Sequence, residues 1–246
     1  MSIRSSAIAA TLLALAFALP AVGQDADKVK AALKKSVPEV TVDAVRKTPY
    51  LGLYEVVVGG DIFYTDEKAE FLVMGSIVNL KTKENMTELR QRQLNKVAFA
   101  DLPLDSAFKI VRGNGSRKVA MFADPKCGYC KRFERDLLGV NDITVYVFLY
   151  PILSPDSIEK SKVVWCAADK GKAWIDWMVR DIPLQGEAKC TTPVEKNLAY
   201  GQSKRVTGTP TMIFEDGERV PGAMAVADFE KRLAAAKLPA PSASAK

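Results

Sequence analysis

The 246-residue chain contains no histidine. This excludes a histidine general base, a Ser-His-Asp or Cys-His catalytic site, and any zinc site that needs an imidazole ligand. Whatever nucleophile works here must be activated by its local field. Cysteine is scarce too: there are four, all beyond position 120. A strong charge of one sign is also missing. The net charge is +6 with acidic residues interspersed throughout, which reads as a mixed, soluble surface and not as a nucleic-acid footprint. Beyond residue 23 no stretch is long and apolar enough to span a bilayer. With 48% hydrophobic and 26% charged residues, the composition is that of an ordinary globular protein. The length allows one large domain or two modest ones.

Residues 1–23 read as a secretory signal. Arg4 is their only charged side chain, residues 7–19 are apolar apart from Thr11, Pro20 breaks the run, and Ala21-Val22-Gly23 offers small residues for cleavage. Removal is expected between residues 23 and 24. The competing reading is an uncleaved anchor. An exported chain meets an oxidising compartment, where disulfides persist and four cysteines allow two pairs.

Residues 24–85 form a first, cysteine-free domain. A short helix is expected over 25–35, with Val29, Ala32 and Leu33 on one face. Strands are expected over 40–45, 53–58 and 62–65, with one or two more over 71–80. So small a unit buries too little surface to be strongly stable alone. It therefore docks either on a copy of itself or on the second domain of its own chain. Residues 81–96 are polar on most sides and rich in helix formers, as in a helix that bridges domains. The linker and connector are placed at 86–108.

The second domain covers 109–238. Val119-Ala120-Met121-Phe122-Ala123 is nearly all apolar, as expected of a strand covered on both faces. A helix over 129–138 and a buried strand over 143–150 complete a βαβ unit. Residues 157–178 are helical with a break at Gly171, 195–204 form another helix, and a hairpin turns at Asp216-Gly217-Glu218. A closing helix is expected at 227–238, and the Pro/Ala/Ser-rich residues 239–246 form a disordered tail.

Cys127-Gly128-Tyr129-Cys130 lies where the central strand gives way to a helix. Two cysteines in this spacing at such a junction point to redox chemistry. The helix N-terminus favours a thiolate, the nucleophile of thiol–disulfide exchange. Cys127, at or before the first helical position and on the exposed side of the turn, is the better nucleophile. Cys130, one turn in, is placed to resolve a mixed disulfide. An inert disulfide or a zinc half-site are the alternatives. The spacings to Cys166 and Cys190 are not those of paired zinc knuckles.

Cys-Gly-Tyr-Cys after a strand, Thr207-Gly208-Thr209-Pro210 some 80 residues later, and the inserted helical segment with Val164-Trp165-Cys166-Ala167-Ala168-Asp169 together resemble a thioredoxin fold. Preceded by a small β-domain and a linker helix, they resemble the DsbC/DsbG family of bacterial periplasmic disulfide isomerases along nearly the whole mature chain. The resemblance implies an α+β protein: a small β-rich N-terminal dimerisation domain, a linker helix, and a thioredoxin-like α/β domain with a helical insertion. It implies a homodimer, misoxidised exported proteins as substrates, a membrane reductase of the DsbD type as electron donor, a periplasmic location and no cofactor. It implies that Pro210 is cis and lies against the active-site sulfurs, that Thr209 offers its backbone to an incoming chain, and that Gly128 and Tyr129 tune the dithiol. Cys166 and Cys190 are read as a structural disulfide, with regulatory thiols as the alternative. The chain departs from relatives at two places. Lys131 stands where many carry histidine, and Met121 stands where thioredoxins bury an acid. A cation at 131 could still favour the thiolate, and water or a carboxylate such as Asp124 could assist proton transfer at Cys130. The rivals to an isomerase are an oxidase or reductase using the same dithiol, and a holdase without chemistry.

Overall fold

The computed structural model describes residues 22–236. The targeting segment up to residue 21 and the tail at 239–246 lie outside the described residues. The chain forms two compact units, one ending at Val78 and the other beginning at Asn79.

In the first unit α1 (Val22–Ser36) covers a four-stranded antiparallel sheet in the order β1 (Ala44–Lys47), β2 (Tyr54–Val58), β3 (Asp61–Thr65), β4 (Leu72–Val73). Val29 and Leu33, one helical turn apart, are buried against Tyr54 and Val56. Each such side chain contributes about 1.5–3 kcal/mol. Gly59 and Gly60, both at positive φ, make the two-residue turn between β2 and β3. Two expectations are corrected. The first strand is at 44–47, not 40–45, because residues 37–40 turn back on themselves and contact with β2 begins with the Asp43 amide on the Val57 carbonyl. The run 71–80 yields only the two-residue strand β4 and an isolated bridge at Val78, since only Leu72 and Val73 find partners along β3.

The second unit contains, near its start, α2 (Met86–Leu94), a helix within the polar run 81–96, which has no buried residue and is capped by Asn85 on the Glu88 amide. A five-stranded sheet follows in the order β5 (Phe108–Arg112), β7 (Ile143–Leu149), β6 (Arg117–Ala123), β8 (Thr211–Phe214), β9 (Arg219–Pro221). β6 and β7 run parallel, joined through α3 (Gly128–Asp136), and the other pairs are antiparallel. β6 is the central strand, and its alternating residues enter two cores. Val119, Met121 and Ala123 pack with Phe133, Trp174 and Phe229 on one face, and Ala120 and Phe122 with Phe148, Tyr150 and Ile213 on the other. This two-sided burial is why the strand lacks polar alternation.

The insertion comprises α4 (Pro155–Cys166) and α5 (Lys170–Met178). Their break lies at 167–169, not at Gly171. Asp169 caps α5 by accepting the Lys172 amide at 2.8 Å, so the chain is restarted by a cap, two residues before the glycine. The helices α6 (Val194–Ser203) and α7 (Val226–Ala236) complete the unit.

Candidate active site

Cys127 is the N-cap of α3. Its backbone is extended, at φ −73° and ψ 115°, and its Sγ accepts the amide hydrogen of Cys130 at 3.2 Å. A cysteine thus occupies a position that serine or aspartate usually fills, and its sulfur takes one of the orphan donors of the helix terminus. Both cysteines are free thiols. Cys127 is only 3% exposed and Cys130 is completely buried. The expectation of an exposed nucleophile is therefore corrected: Thr209, 82 residues away, lies over the sulfur. The thiol of Cys127 donates to the Thr209 carbonyl at 3.2 Å. The Thr209–Pro210 peptide bond is cis.

The Cys127 thiol is pulled down to about 6. The Cys130 thiol contributes most, against the opposing effect of burial, followed by the Thr209 side chain and the amides of Cys130 and Tyr129. The Thr209 hydroxyl is buried with no partner among the described residues, and ionised sulfur supplies one. Burial pushes Cys130 far in the other direction, reinforced by Cys127. The two thiols therefore have opposite characters, one an anion near neutrality and the other a proton holder.

Asp124 organises the backbone around the site. Its carboxylate is buried and accepts the amides of Lys126 at 2.8 Å, Ile152 at 2.9 Å and Leu153 at 3.0 Å. It pins the approach to Cys127 against the segment after β7. Gly128 has open space around its Cα, and Tyr129 is 70% exposed beside the dithiol, as are Ile152 and Leu153 in part. Lys131 donates to Asp181 at 2.8 Å and lies 4.4 Å from the centre of the Trp177 ring.

Sequence reasoning missed a buried acid on α3. Glu134, on α3, is fully buried and accepts Trp174 Nε1–H at 2.6 Å, with Arg112 at 3.6 Å. Burial raises its carboxyl, and the indole and guanidinium oppose that rise. The buried stripe Cys130, Phe133, Glu134, Leu137 has the i, i+3, i+4, i+7 spacing that could have signalled it.

Cys166 and Cys190 are joined in a disulfide, Cα–Cα 5.7 Å, separate from the Cys127/Cys130 pair. Cross-linking a loop of this length stabilises by about 3.5 kcal/mol in the chain-entropy model. The Cys166→Ser/Cys190→Ser double variant is expected to lose stability of that order in urea titrations.

A central parallel βαβ unit, a thiol pair at the N-terminus of its helix and a cis-proline opposite define a thioredoxin-fold thiol–disulfide oxidoreductase. Residues 104–237 match the thioredoxin-like domain family, and residues 20–88 match the N-terminal domain of disulfide bond isomerase proteins. The chain is 48% identical over 208 residues to the Bordetella parapertussis protein named "Probable thiol:disulfide interchange protein DsbC", covering 85% of this chain and 74% of that one. It is 26% identical over 202 residues to the thiol:disulfide interchange protein DsbC of Escherichia coli K12, covering 78% and 82%. A disulfide interchange protein from Neisseria gonorrhoeae, solved by crystallography, is 38% identical and superposes with a TM-score of 0.54, covering 55% of this chain and 99% of that one. The chain belongs to the DsbC family of thiol:disulfide interchange proteins.

Proposed function

We propose that the protein isomerises incorrect disulfides in exported proteins, as a periplasmic homodimer, with Cys127 as nucleophile and Cys130 as resolving thiol. The observation that carries this reading is the asymmetry of the two thiols at the α3 N-terminus. The Cys127 thiolate attacks a substrate disulfide, forming a Cys127–S–S–substrate bond and releasing one substrate thiolate. That thiolate can attack another substrate disulfide, and when the new substrate thiolate attacks the mixed disulfide, Cys127 leaves again as a thiolate. No net electrons move, and only the pairing changes. If the substrate stalls, Cys130 gives up its proton and attacks Cys127 Sγ. The substrate leaves reduced, and the oxidised dithiol must then be reduced by a donor, for which a membrane reductase of the DsbD type is the partner.

A Cys127 thiol near 6 supports a thiolate nucleophile at neutral pH, which an isomerase and an oxidase share. Pro210, Thr209, Gly128 and Tyr129 surround the reacting sulfur as supporting residues, with the Thr209 backbone beside Cys127 where an extended substrate can hydrogen-bond. The test is refolding of a scrambled multi-disulfide protein, together with thiol trapping in vivo. A mostly reduced Cys127/Cys130 pair supports the isomerase, and a mostly oxidised pair supports the oxidase.

Dimerisation through the first unit is supported by its edge. Among the described residues β4 is an edge strand two residues long, and Phe71, 71% exposed, Leu72, Val73 and Met74 stand in solvent around it. An exposed apolar edge of this kind is a template for a second copy. Leu72→Asp is expected to convert the dimer to monomer in analytical ultracentrifugation and to lower isomerase activity by about tenfold or more, with simple thiol reduction retained. Unchanged sedimentation would refute this interface. A periplasmic location rests on the signal-like residues 1–23. Among the described residues no helix is long and apolar enough to cross a membrane.

A further inference from the structure

The end of α2, the end of α6 and the start of β9 meet at one pocket of the second unit. The Val97 amide donates to the Gly217 carbonyl at 2.9 Å, which draws the segment after α2 onto the β8–β9 turn. The Arg219 guanidinium donates to the carbonyl of Lys204, the C-cap of α6, and ties β9 to that helix. Between these segments lies a pocket of about 250 Å³, whose polar wall is Asn95, Lys96, Ser203, Lys204, Arg205 and Arg219. Among the described residues no aspartate or glutamate lines it. The pocket is separate from the dithiol. Pro221 pairs with Thr211 next to the cis-proline, and Arg219 lies two residues further away along β9.

Little in the protein neutralises the four cations. The acids of the hairpin are engaged elsewhere: Asp216 accepts Arg232 at 2.6 Å, and Glu218 pairs with Arg232 at 2.6 Å and Arg92 at 3.7 Å. Lys96 acts on Asp216 only through its field. Arg219 is partly buried, and burial first and Arg205 second disfavour its charge. Helix ends offset a part. A helix C-terminus is equivalent to about half a negative charge, so the ends of α2 and α6 cancel about one of the four positive charges and leave about three. Their last carbonyls already accept backbone amides: Gln91 and Gln93 from Asn95, Tyr200 and Gly201 from Lys204, and Gln202 from Arg205.

We propose that this pocket binds a phosphate group, with Arg205 and Arg219 as forked donors and Lys96 and Lys204 as charge partners. A phosphate group carries about −1.5 to −2 at pH 7 and several acceptor oxygens, which answers this excess better than a single carboxylate. Guanidinium forks match phosphate oxygens two at a time, and lysine ammoniums act as point charges. Free phosphate and the headgroup of an anionic phospholipid both present this chemistry. The proposal is independent of the chemistry at Cys127.

The test is calorimetric titration of inorganic phosphate into the full-length protein, with chloride at equal ionic strength as the reference. Co-sedimentation with phosphatidylglycerol/phosphatidylcholine vesicles is run beside it. Phosphate is expected to saturate one site per chain with a Kd below about 1 mM. Arg219→Gln is expected to weaken it by about tenfold or more, and Arg205→Gln by about three- to tenfold. Arg205 is exposed, so its variant keeps the test open if Arg219→Gln unfolds, which urea midpoints without phosphate reveal. Lys109→Gln, an exposed cation elsewhere on the same unit, is expected to change nothing. Tight phosphate binding lost in the arginine variants supports the proposal with a free anion as ligand. Vesicle binding lost in the same variants, with free phosphate weak, supports it with a lipid headgroup. A parent protein that binds neither would overturn it, and so would binding that survives both arginine substitutions.

Discussion

Cys127→Ser is expected to reduce disulfide exchange to background, a loss of at least about 10³-fold, because a serine hydroxyl is not ionised near neutrality and does not attack sulfur. Cys130→Ser is expected to behave differently. The nucleophile remains, so mixed disulfides with substrate form, but stalled ones cannot be resolved. They should accumulate as reductant-sensitive adducts on a gel. Equal activity of Cys127→Ser and the parent would remove the chemical basis of the proposed function.

The same thiols set a pH signature. Cys127 titrates near 6 in the folded protein, against 9.0 for an unperturbed thiol. Between these values the unfolded chain carries a proton that the native state has lost, so stability of the reduced protein rises with pH across that window. The contribution is fully present above about 9 and is lost as pH falls through about 6. Cys130 acts in the opposite sense, since burial keeps it protonated where the unfolded thiol ionises. Its contribution is present below the unfolded value and declines above it. The reduced protein is therefore expected to be most stable near pH 8–9, by about 3 kcal/mol over pH 5 from this pair. Urea midpoints under excess reductant measure this, and Cys127→Ser should flatten the rise between pH 6 and 9. Exchange rates should follow the thiolate fraction, falling about tenfold per unit below pH 6 and levelling off above it.

The second large effect is expected away from the sulfur. Glu134→Ala removes the carboxylate that pairs with the mostly buried Arg112 guanidinium. Arg112 has both terminal nitrogens buried and without a hydrogen bond among the described residues, and its ion-pair contact there is Glu134. Deleting one member of a buried pair costs about 3–5 kcal/mol, because the other charge stays behind. Trp174 also loses its acceptor. For a chain of this size the expected fall in melting temperature is about 10 °C. Glu134→Gln should lose less, since an amide oxygen can still accept from the indole. A Glu134→Ala protein as stable as the parent would mean that Arg112 finds water or another acceptor once the carboxylate is gone.

Glu134 was legible only in part. Its place on the stripe of Cys130, Phe133 and Leu137 marks it as core-facing, although the run Lys131-Arg132-Phe133-Glu134-Arg135-Asp136 looks like a solvated helix surface. Its partner Trp174 lies 40 residues on, and local spacing does not name it. Asp181 lies 50 residues from Lys131, and no periodicity announces that the two meet. The β4 edge was read too generously for a related reason. A β-rich composition gives strand propensity, but a strand extends only as far as a partner pairs with it.

The sequence alone determined the dithiol and its setting. The absence of histidine, an apolar strand running into Cys127, and helix formers after it made the helix terminus and backbone the main candidates for thiolate stabilisation, whereas the structure adds larger contributions from the Cys130 thiol and the Thr209 side chain. It also determined which strand is central, because burial on both faces removes the polar alternation. Tertiary structure decided the rest. Thr209 covers the nucleophile, Asp124 accepts three backbone amides, Glu134 lies inside, and Lys131 pairs with Asp181. Those outcomes depend on partners brought from distant segments, whereas strand character and helix capping depend on neighbours along the chain.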